Sequence, residues 1–357
     1  MKLGRALVAS ATVAAVFGLS ACGGGSAASS SGATTVPVPA TVSAATLAGV
    51  TLDVGDQKGG GSQALLTAAG LADTPYRIKW DDFTSGPPML EAANANAIDI
   101  GQVGNTPPIF SAAANGSIDV VAALRDSEGD AVLVPRASSI RTLADLKGRT
   151  IAVPQGSSAN GTLLNTLNRA GLKPTDVKLS YLQPADAYAA FTQGSVDAWA
   201  IWDPYITEAV SNLGARTLVS GTDSINGAGL AAGTPLSNGY SFDVASRAAL
   251  ADPGKNTAIA DYLGRLVKAD AWAAQHPDRW AAIYAQQTGI PLAVAKIAVP
   301  KIIVHPVALD DGVVASEQHL ADAFTAAGQI PGKVDFSSFV DRRYNSELVG
   351  SASGGTK

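Results

Sequence analysis

The sequence predicts an α/β protein with two lobes and a helical C-terminal part. Short apolar runs alternate with helical periods from about residue 47 to residue 219, which is typical of a mostly parallel sheet covered by helices on both faces. The alternation breaks at residues 136–141 and then restarts, which indicates two units. From residue 256 onward the pattern is helical, so we expect these helices to pack on an existing core, most simply that of the first lobe.

The predicted elements follow one another in a regular order. Strands are expected over residues 47–54, 76–80, 98–103, 119–124, 130–134, 149–153, 177–181, 196–201, 216–219 and 239–245. Helices are expected over residues 62–69, 89–95, 109–114, 143–146, 159–170, 184–193, 204–213, 259–275, 277–288, 291–298 and 315–327. Because the strand at 239–245 is expected to return to the first lobe, that lobe comprises residues 47–137 and 238–345, and the second comprises residues 138–237. Two crossover segments, near 136–141 and 236–239, join them.

An internal repeat supports the division into two lobes. Asp99 begins one strand, and Asn105 follows six residues later before prolines that start a helix. Asp197 begins a strand in the second half, and Asp203 follows at the same spacing before Pro204. Both strands should therefore present an amide or a carboxylate at a helix start. The alternative is that no repeat exists, because Asn or Asp followed by proline is common between a strand and a helix in α/β proteins.

Composition and charge exclude several classes of function. Hydrophobic residues make up 46% of the chain and charged residues 15%, which is ordinary for a protein with a large core. With a net charge of −5 the chain lacks the excess of basic residues that is typical of proteins that bind nucleic acid. The histidines lack metal-ligand spacing, and the sequence contains no P-loop, G-x-S-x-G or H-E-x-x-H motif. No cofactor is expected, although a catalytic triad assembled only in the fold stays an open alternative.

The first 21 residues have the pattern of an export signal. Lys2 and Arg5 precede an apolar run that is too short to span a membrane. Leu-Ser-Ala then precedes Cys22, the one cysteine of the chain, and this motif resembles the lipobox of bacterial lipoproteins. We therefore expect Cys22 to be lipidated and to anchor the exported chain to the outer face of the cell membrane. An ordinary signal peptide beside a free thiol is the alternative.

Two segments lack the pattern of a packed structure. Residues 22–46 are small or apolar with no charge and no periodicity, so they are predicted to form a flexible tether. Residues 346–357 are mostly small and polar and are predicted to be a disordered tail.

A glycine-rich turn after the first strand offers a different interpretation. Gly59, Gly61 and Ala64 match G-x-G-x-x-A, and Asp81 and Asp82 lie about twenty residues further on, as in a dinucleotide-binding motif. Three consecutive glycines satisfy much of this pattern by chance, however, and four residues separate the strand from the turn. An exported protein would also meet little nicotinamide cofactor, so we disfavour a dehydrogenase.

Four junctions between a strand and a helix are candidates for binding a small anion. They carry Gln57, Ser85 with Gly86, Asn105 with Thr106, and Ser157 with Ser158. A helix N-terminus offers backbone N–H groups and a partial positive charge, so it can hold an oxyanion without a matching lysine. Capping is the alternative at each junction, and Ser85 in particular can cap the helix that follows it.

The segment from residue 186 to 205 adds an aromatic wall to these junctions. Trp199, Trp202 and Tyr205 cannot all face one core, because neighbouring residues of a strand point to opposite faces. Trp202 at the strand end is expected to line a cleft beside Asp203, whereas Trp199 is expected in the core.

Five segments resemble the aliphatic sulfonate-binding proteins, which are the substrate-binding subunits of ABC importers. The segments are VGDQKGG (54–60), FTSGPPML (83–90), IDIGQVGNTPPIF (98–110), GRTIAVPQGSS (148–158) and QPADAYAAFTQGSVDAWAIWDPY (183–205). The resemblance implies a type II periplasmic-binding-protein fold, in which two α/β lobes close on a ligand. It implies a cleft lined by Gln57, Ser85, Gly86, Thr106, Ser157, Ser158, Trp202 and Asp203.

Asn105 belongs to the same predicted site but departs from the resemblance, because the family commonly has Asp at this position. A neutral amide removes a repulsion toward an anion and also removes a partner for a cationic tail. We therefore expect a plain alkyl or aryl sulfonate rather than a taurine-like ammonium, although Asp203 could supply a counter-charge.

The resemblance further implies a monomeric receptor that catalyses no reaction and delivers an organic sulfonate to the transmembrane subunits of a permease. Nitrate, bicarbonate, taurine or a pyrimidine on the same fold are alternative ligands. An exported hydrolase and a lipoprotein that binds a partner without transport are alternatives from other classes.

Overall fold

The structure is a computed structural model that describes residues 36–57, 61–126, 129–223, 235–345 and 348. The predicted signal peptide, Cys22 and most of the predicted tail lie outside these residues. No helix within the described ranges is both long enough and apolar enough to cross a membrane.

The described strands form two sheets. In chain order they are β1 (Thr51–Gln57), β2 (Arg77–Phe83), β3 (Ile100–Gly104), β4 (Ile118–Asp126), β5 (Asp130–Val134), β6 (Thr150–Val153), β7 (Lys178–Tyr181), β8 (Ala198–Trp202), β9 (Arg216–Ser220), β10 (Tyr240–Ser246) and β11 (Val304–Val307). The strand order is β11-β4-β10-β3-β1-β2 in the first sheet and β7-β6-β8-β5-β9 in the second. The predicted two-lobed α/β plan is therefore confirmed.

The helices cover these sheets and account for the rest of the regular structure. They are α1 (Ala44–Leu47), α2 (Ser62–Ala68), α3 (Gly86–Asn94), α4 (Thr106–Ala113), α5 (Ser158–Arg169), α6 (Pro184–Thr192), α7 (Tyr205–Leu213), α8 (Arg247–Ala251), α9 (Pro253–Gln275), α10 (Pro277–Thr288), α11 (Leu292–Ile302) and α12 (Asp311–Ala326). Short 3₁₀ turns occur at Leu143–Leu146, Pro174–Asp176 and Phe336–Phe339.

Each sheet is parallel in one part and antiparallel in another. β1 pairs in parallel with β2 and β3, and β6 pairs in parallel with β7 and β8. β10 runs antiparallel between β3 and β4, and β5 runs antiparallel between β8 and β9. The expectation of a mostly parallel sheet holds for the βα units but fails for β5 and β10, which enter their sheets directly from a crossover.

β5 shows that the predicted lobe boundary was wrong. The prediction assigned residues 130–137 to the first lobe because the pattern breaks only at 136. In the structure β4 belongs to the first sheet and β5 to the second, so the chain crosses between Asp126 and Asp130. An apolar run of this kind fits either sheet, and its partners β8 and β9 are distant in sequence. The chain returns between Leu236, which packs in the second lobe, and β10.

β11 is a strand that the helical pattern of the C-terminal part did not predict. It pairs antiparallel with β4 at the edge of the first sheet. Its four residues are too few to show alternation, and Pro306 argues against a strand in general. At a sheet edge a proline is tolerated, because one side of the strand has no ladder partner.

The end of the predicted tether is part of the first lobe. The Arg343 guanidinium donates to the Val36 carbonyl at 2.8 Å, and the Val42 N–H donates to Thr257 Oγ1 at 3.2 Å. Ser43 then caps α1, and Leu47 is buried. These residues have the composition of a linker, and their docking depends on contacts with residues far along the chain.

The core of the second lobe lies on both faces of its sheet. Val132 and Val134 of β5 enter one apolar cluster, whereas Ala131 and Leu133 enter another. This alternation is expected for a strand that is buried on both faces.

The internal repeat is present in the backbone of both lobes. The Asp99 N–H donates to the Asp53 carbonyl at 2.7 Å, and the Asp53 N–H donates back to Asp99 Oδ2 at 2.9 Å. Asp197 and Thr150 make the same reciprocal pair in the second lobe, at 2.8 Å in each direction. Each aspartate therefore ties the start of its strand to the neighbouring strand.

Candidate functional site

A cavity of about 180 Å³ lies between the lobes, where β1, β3 and β8 end. The carboxyl ends of strands are where open α/β sheets bind ligands. The first lobe lines it with Gln57, Gly86, Gln102, Val103, Gly104, Pro107, Ser241, Lys301, Ile302 and Val304. The second lobe and the first crossover line it with Gly129, Asp130, Ser157, Ser158, Trp202, Asp203 and Pro204.

The structure brings most of the predicted binding residues together at this cavity. Its walls include Gln57, Gly86, Ser157, Ser158, Trp202 and Asp203. They do not include Ser85, Asn105 or Thr106, all of which are buried behind the wall.

Ser85 joins the lobes and does not cap a helix. Its hydroxyl donates to Gln183 Oε1 of the second lobe at 2.9 Å, and Thr84 donates to the same oxygen at 3.0 Å. α3 has no side-chain cap from Ser85. The capping prediction was therefore wrong, because an acceptor on the other lobe takes the hydroxyl.

Asn105 faces the second crossover, away from the cavity. Its Nδ2 donates to Asn238 Oδ1 at 2.7 Å, and its Oδ1 accepts from the Thr106 hydroxyl at 2.9 Å. Thr106 in turn packs against α5, where a Cβ added to Gly161 would lie 2.5 Å from Thr106 Oγ1. Asn105 is not among the residues that line the cavity, so the structure gives no support to the expectation that it sets the charge at the ligand.

The serines of the α5 junction have different roles. Ser157 is a cap: its hydroxyl donates to the Pro154 carbonyl at 2.7 Å and accepts from the Asn160 N–H at 3.3 Å. Ser158 donates to Asp130 Oδ1 at 2.8 Å. The capping alternative therefore describes the Ser157 side chain, whereas the Ser158 hydroxyl orients a carboxylate in the cavity wall.

Proline limits the N–H groups that two helix starts can offer. α3 begins Gly86-Pro87-Pro88, and α4 begins Thr106-Pro107-Pro108. Proline has no N–H, so each start loses two of its first three donors. Anion binding at these junctions must therefore rely on the N–H that remains, that of Gly86 or Thr106, together with donors from elsewhere in the wall. Gln57 is one: its Nε2 donates to the Gln102 carbonyl at 2.9 Å and carries a second hydrogen.

Trp199 lies in the core and Trp202 lines the cavity, as predicted. Trp199 is fully buried, and its ring contacts those of Tyr188, Phe191 and Tyr205. Trp202 is half-buried and lines the cavity. Beside it Asp203 Oδ1 accepts from the Thr207 N–H at 2.9 Å, which satisfies a free donor at the start of α7.

Two charged wall residues were missed at the sequence level. Asp130 begins β5 and Lys301 lies in the last turn of α11. Neither belongs to a recognisable motif, and only the pairing of β5 with β8 and the packing of α11 bring them to the cavity. Among the described wall residues, the charged ones are Asp130, Asp203 and Lys301.

The glycine-rich turn gives no support to the dinucleotide interpretation where it is described. The Asp56 carboxylate accepts from the Ser62 N–H at 3.0 Å and from the Gln63 N–H at 3.1 Å. These are the α2 donors that a pyrophosphate would need. Burial raises the pKa of Asp56, and the backbone N–H groups that donate to it oppose this shift. Residues 59 and 60 of the motif lie outside the described ranges.

The described side chains include no metal centre. No three His, Cys, Asp or Glu residues within the described ranges are grouped so that they could hold a metal ion.

Residues 87–217 match the NMT1/THI5-like family. The aliphatic sulfonates-binding protein of Escherichia coli (strain K12) is 38% identical over 291 residues, which cover 80% of this chain and 86% of that protein. The chain belongs to the aliphatic sulfonate-binding protein family.

Two solved structures of aliphatic sulfonate-binding proteins share its fold. The alkanesulfonate-binding protein SsuA of Xanthomonas axonopodis pv. citri, bound to MOPS, is 33% identical with a TM-score of 0.71, and the match covers 82% of this chain and 98% of that one. The periplasmic aliphatic sulphonate-binding protein SsuA of Escherichia coli is 35% identical with a TM-score of 0.68, covering 82% and 92%. The two sheets and two crossovers are thus those of a type II periplasmic-binding-protein fold.

Proposed function

We propose that this protein captures an organic sulfonate in the cavity between its lobes, outside the cytoplasm, and delivers it to an ABC permease. One observation carries the proposal. In a chain of the aliphatic sulfonate-binding family, one cavity between the lobes brings the Trp202 side chain together with polar groups from both lobes.

The sulfonate group fits the polar side of the cavity. The Gly86 and Ser158 N–H groups, the Gln57 amide and the Lys301 ammonium can all interact with its oxygens. The organic tail lies along Trp202, which offers a large apolar surface. Closure of the lobes then removes the ligand from water, as in hinge motions of related two-lobed receptors.

We propose binding without turnover. The Ser157 hydroxyl donates to a backbone carbonyl and the Ser158 hydroxyl to a carboxylate, and neither contact activates a nucleophile in the way a histidine base does. His276, His305 and His319 do not line the cavity. A hydrolase screen with sulfonate, sulfate and carboxylic esters checks this, and turnover above background would support an exported enzyme instead.

We propose further that the mature protein is lipid-anchored. The support is the export pattern and the lipobox-like motif before Cys22. Mass spectrometry of the mature chain should find a lipidated N-terminal Cys22, and cleavage elsewhere would contradict the anchor.

Calorimetric titration with butane-1-sulfonate tests the proposed ligand class. The wild type should bind saturably, and Trp202→Ala should weaken binding by about fivefold or more, since an aromatic anchor of this size is typically worth over 1 kcal/mol. Trp272→Ala is the matched control, because Trp272 stacks on His276 in the first lobe and is absent from the cavity wall. Binding of nitrate, bicarbonate or a pyrimidine, with no binding of any sulfonate, would overturn the proposal.

A further inference from the structure

We propose that Asp130 makes this site selective for sulfonates that carry a cationic amine at the end of the tail. This inference rests on the proposed function. It concerns which class of sulfonate the cavity prefers, and it reverses the expectation that was based on Asn105.

The strand register places Asp130 directly beside Trp202. β5 and β8 are antiparallel, and Asp130 and Trp202 are paired across them. Residues that are directly opposite in an antiparallel pair project to the same face, with Cβ atoms about 4.5–5.5 Å apart. Both residues line the cavity, so a carboxylate and an indole stand side by side at the same end of it. This is the combination that binds an ammonium group, by charge and by cation–π attraction.

Neighbouring hydroxyls hold the Asp130 carboxylate in place. Ser158 donates to Oδ1 at 2.8 Å and Thr162 donates to Oδ2 at 3.1 Å. Asp130 is only 3% exposed, and these hydroxyls and the cavity are among its polar surroundings. The two hydroxyls thus fix the direction in which the Asp130 carboxyl oxygens face the cavity.

The balance of charge in the wall points in the same direction. The described wall contains two carboxylates, Asp130 and Asp203, against one ammonium, Lys301. A sulfonate with an uncharged tail adds a negative charge to a wall that already has more carboxylates than ammonium groups. A zwitterionic sulfonate adds no net charge to this wall, so it avoids the cost of that added charge.

A pair of ligands of equal length tests the inference on the wild-type protein. In 3-aminopropane-1-sulfonate an ammonium replaces the terminal methyl of butane-1-sulfonate. Calorimetry at pH 7 should show the aminosulfonate binding about tenfold or more tightly, since a hydrogen bond to a charged group supplies that much.

Substitution of Asp130 then assigns the preference to this residue. Asp130→Asn keeps the shape, and it should abolish the preference by weakening binding of 3-aminopropane-1-sulfonate and tightening binding of butane-1-sulfonate, because one negative charge leaves the wall. Asp186→Asn is the matched control, because it removes the same charge from an exposed position of the same lobe and should keep the preference. If Asp130→Asn does not fold, as judged by thermal unfolding, Asp130→Glu takes its place. It should move the preference toward the shorter 2-aminoethanesulfonate.

The outcomes separate the inference from the proposed function. Equal or tighter binding of butane-1-sulfonate by the wild type would overturn the inference alone. So would a preference that persists in Asp130→Asn, or one that does not change in Asp130→Glu. Failure of the folded wild type to bind any sulfonate would overturn the proposed function and the inference with it.

Discussion

Asp56 near the end of β1, Ser157 after β6 and Asp203 after β8 accept hydrogen bonds from the backbone of the helices that follow. Asp56 receives the first N–H groups of α2, Ser157 receives one of α5, and Asp203 receives one of α7. These side chains satisfy free N–H groups at the helix starts, which is the role that Ser and Asp commonly have at strand-to-helix junctions. A polar residue at such a junction is therefore weak support for ligand contact until its own hydrogen bonds are known.

Glu317 is a buried carboxyl at the second crossover. It is fully buried on α12, and its Oε1 accepts from Asn238 Nδ2 at 2.5 Å. Burial raises the pKa of Glu317 to about 8, and the hydrogen bond from Asn238 opposes this rise. Because the folded state holds this proton more tightly than the unfolded state, the stability linked to it is complete below about pH 4.5 and is lost as pH rises toward 8.

We expect Glu317→Gln to flatten the dependence of stability on pH. The amide can still accept from Asn238 through Oε1 but no longer titrates. The free energy of unfolding should therefore fall between pH 5 and pH 8 less steeply, by up to about 1.4 kcal/mol per pH unit. Urea unfolding at half-unit steps of pH measures this. Some slope should remain, because burial also raises the pKa of Asp243, to about 7.

Glu91→Gln serves as the control for this experiment, since Glu91 is exposed on α3. An unchanged slope in Glu317→Gln would show that Glu317 does not stay protonated in the folded protein.

At the scale of elements, glycines set how closely the lobes approach. Gly104 at the end of β3 lies against Ser158 at the start of α5, and Gly161 of α5 lies against Thr106. Gly156 meets the ring of Phe110, which an added Cβ would approach to 3.3 Å. Each contact joins elements of different lobes, so a methyl group at any of these positions would separate them.

Gly104→Ala should weaken ligand binding without unfolding either lobe. The added Cβ would lie 2.7 Å from Ser158 Cβ, which no real pair of Cβ atoms tolerates. Overpacking of this kind costs about 1–3 kcal/mol, so we expect affinity for butane-1-sulfonate to fall by roughly fivefold to a hundredfold. Titration calorimetry measures the loss.

Gly264→Ala is the comparison variant, because a Cβ at this position of α9 meets nothing within 4 Å. It should leave affinity unchanged and raise stability by up to about 1 kcal/mol, as expected for alanine in a helix. Wild-type affinity in Gly104→Ala would mean that binding does not need the contact between β3 and α5.

At the scale of the whole molecule, the lobes are held together by few polar contacts away from the cavity. Gln183 Oε1 accepts from Ser85 and Thr84, which fastens the start of α6 to the start of α3. Contacts of α5 with α4 and α12, and of α7 with α11, add to the contact surface. A receptor that must open and close needs such contacts to be individually modest.

Gln183→Ala should shift the protein toward a more open form. Each lost hydrogen bond costs about 0.5–1.5 kcal/mol, so affinity should fall several-fold and the ligand-free radius of gyration should rise. Small-angle X-ray scattering with and without butane-1-sulfonate measures both forms, and saturating ligand should restore the compact one.

Gln193→Ala removes an exposed glutamine at the C-terminal end of the same helix and should behave as wild type. A radius of gyration and an affinity equal to those of the wild type in Gln183→Ala would show that this contact does not hold the lobes together.

The sequence by itself determined most of the helices and strands, and it predicted a cleft lined by a tryptophan and polar side chains. Apolar periodicity, proline at helix starts and the repeated Asp-to-Asx spacing are local features, so they predicted the βα units, the core position of Trp199 and the cleft position of Trp202. Gln57, Gly86 and Ser158 could be predicted as binding residues in the same way, because each lies where a predicted strand gives way to a helix.

Only the tertiary structure decided which sheet β5 joins, that residues 304–307 form an edge strand, and that Asn105 faces the second crossover. The same pairing of β5 with β8 brings Asp130 beside Trp202, and the packing of α11 brings Lys301 to the cavity. These outcomes depend on contacts between residues far apart in the chain. Neither propensity nor periodicity records such contacts, because both are properties of neighbouring residues.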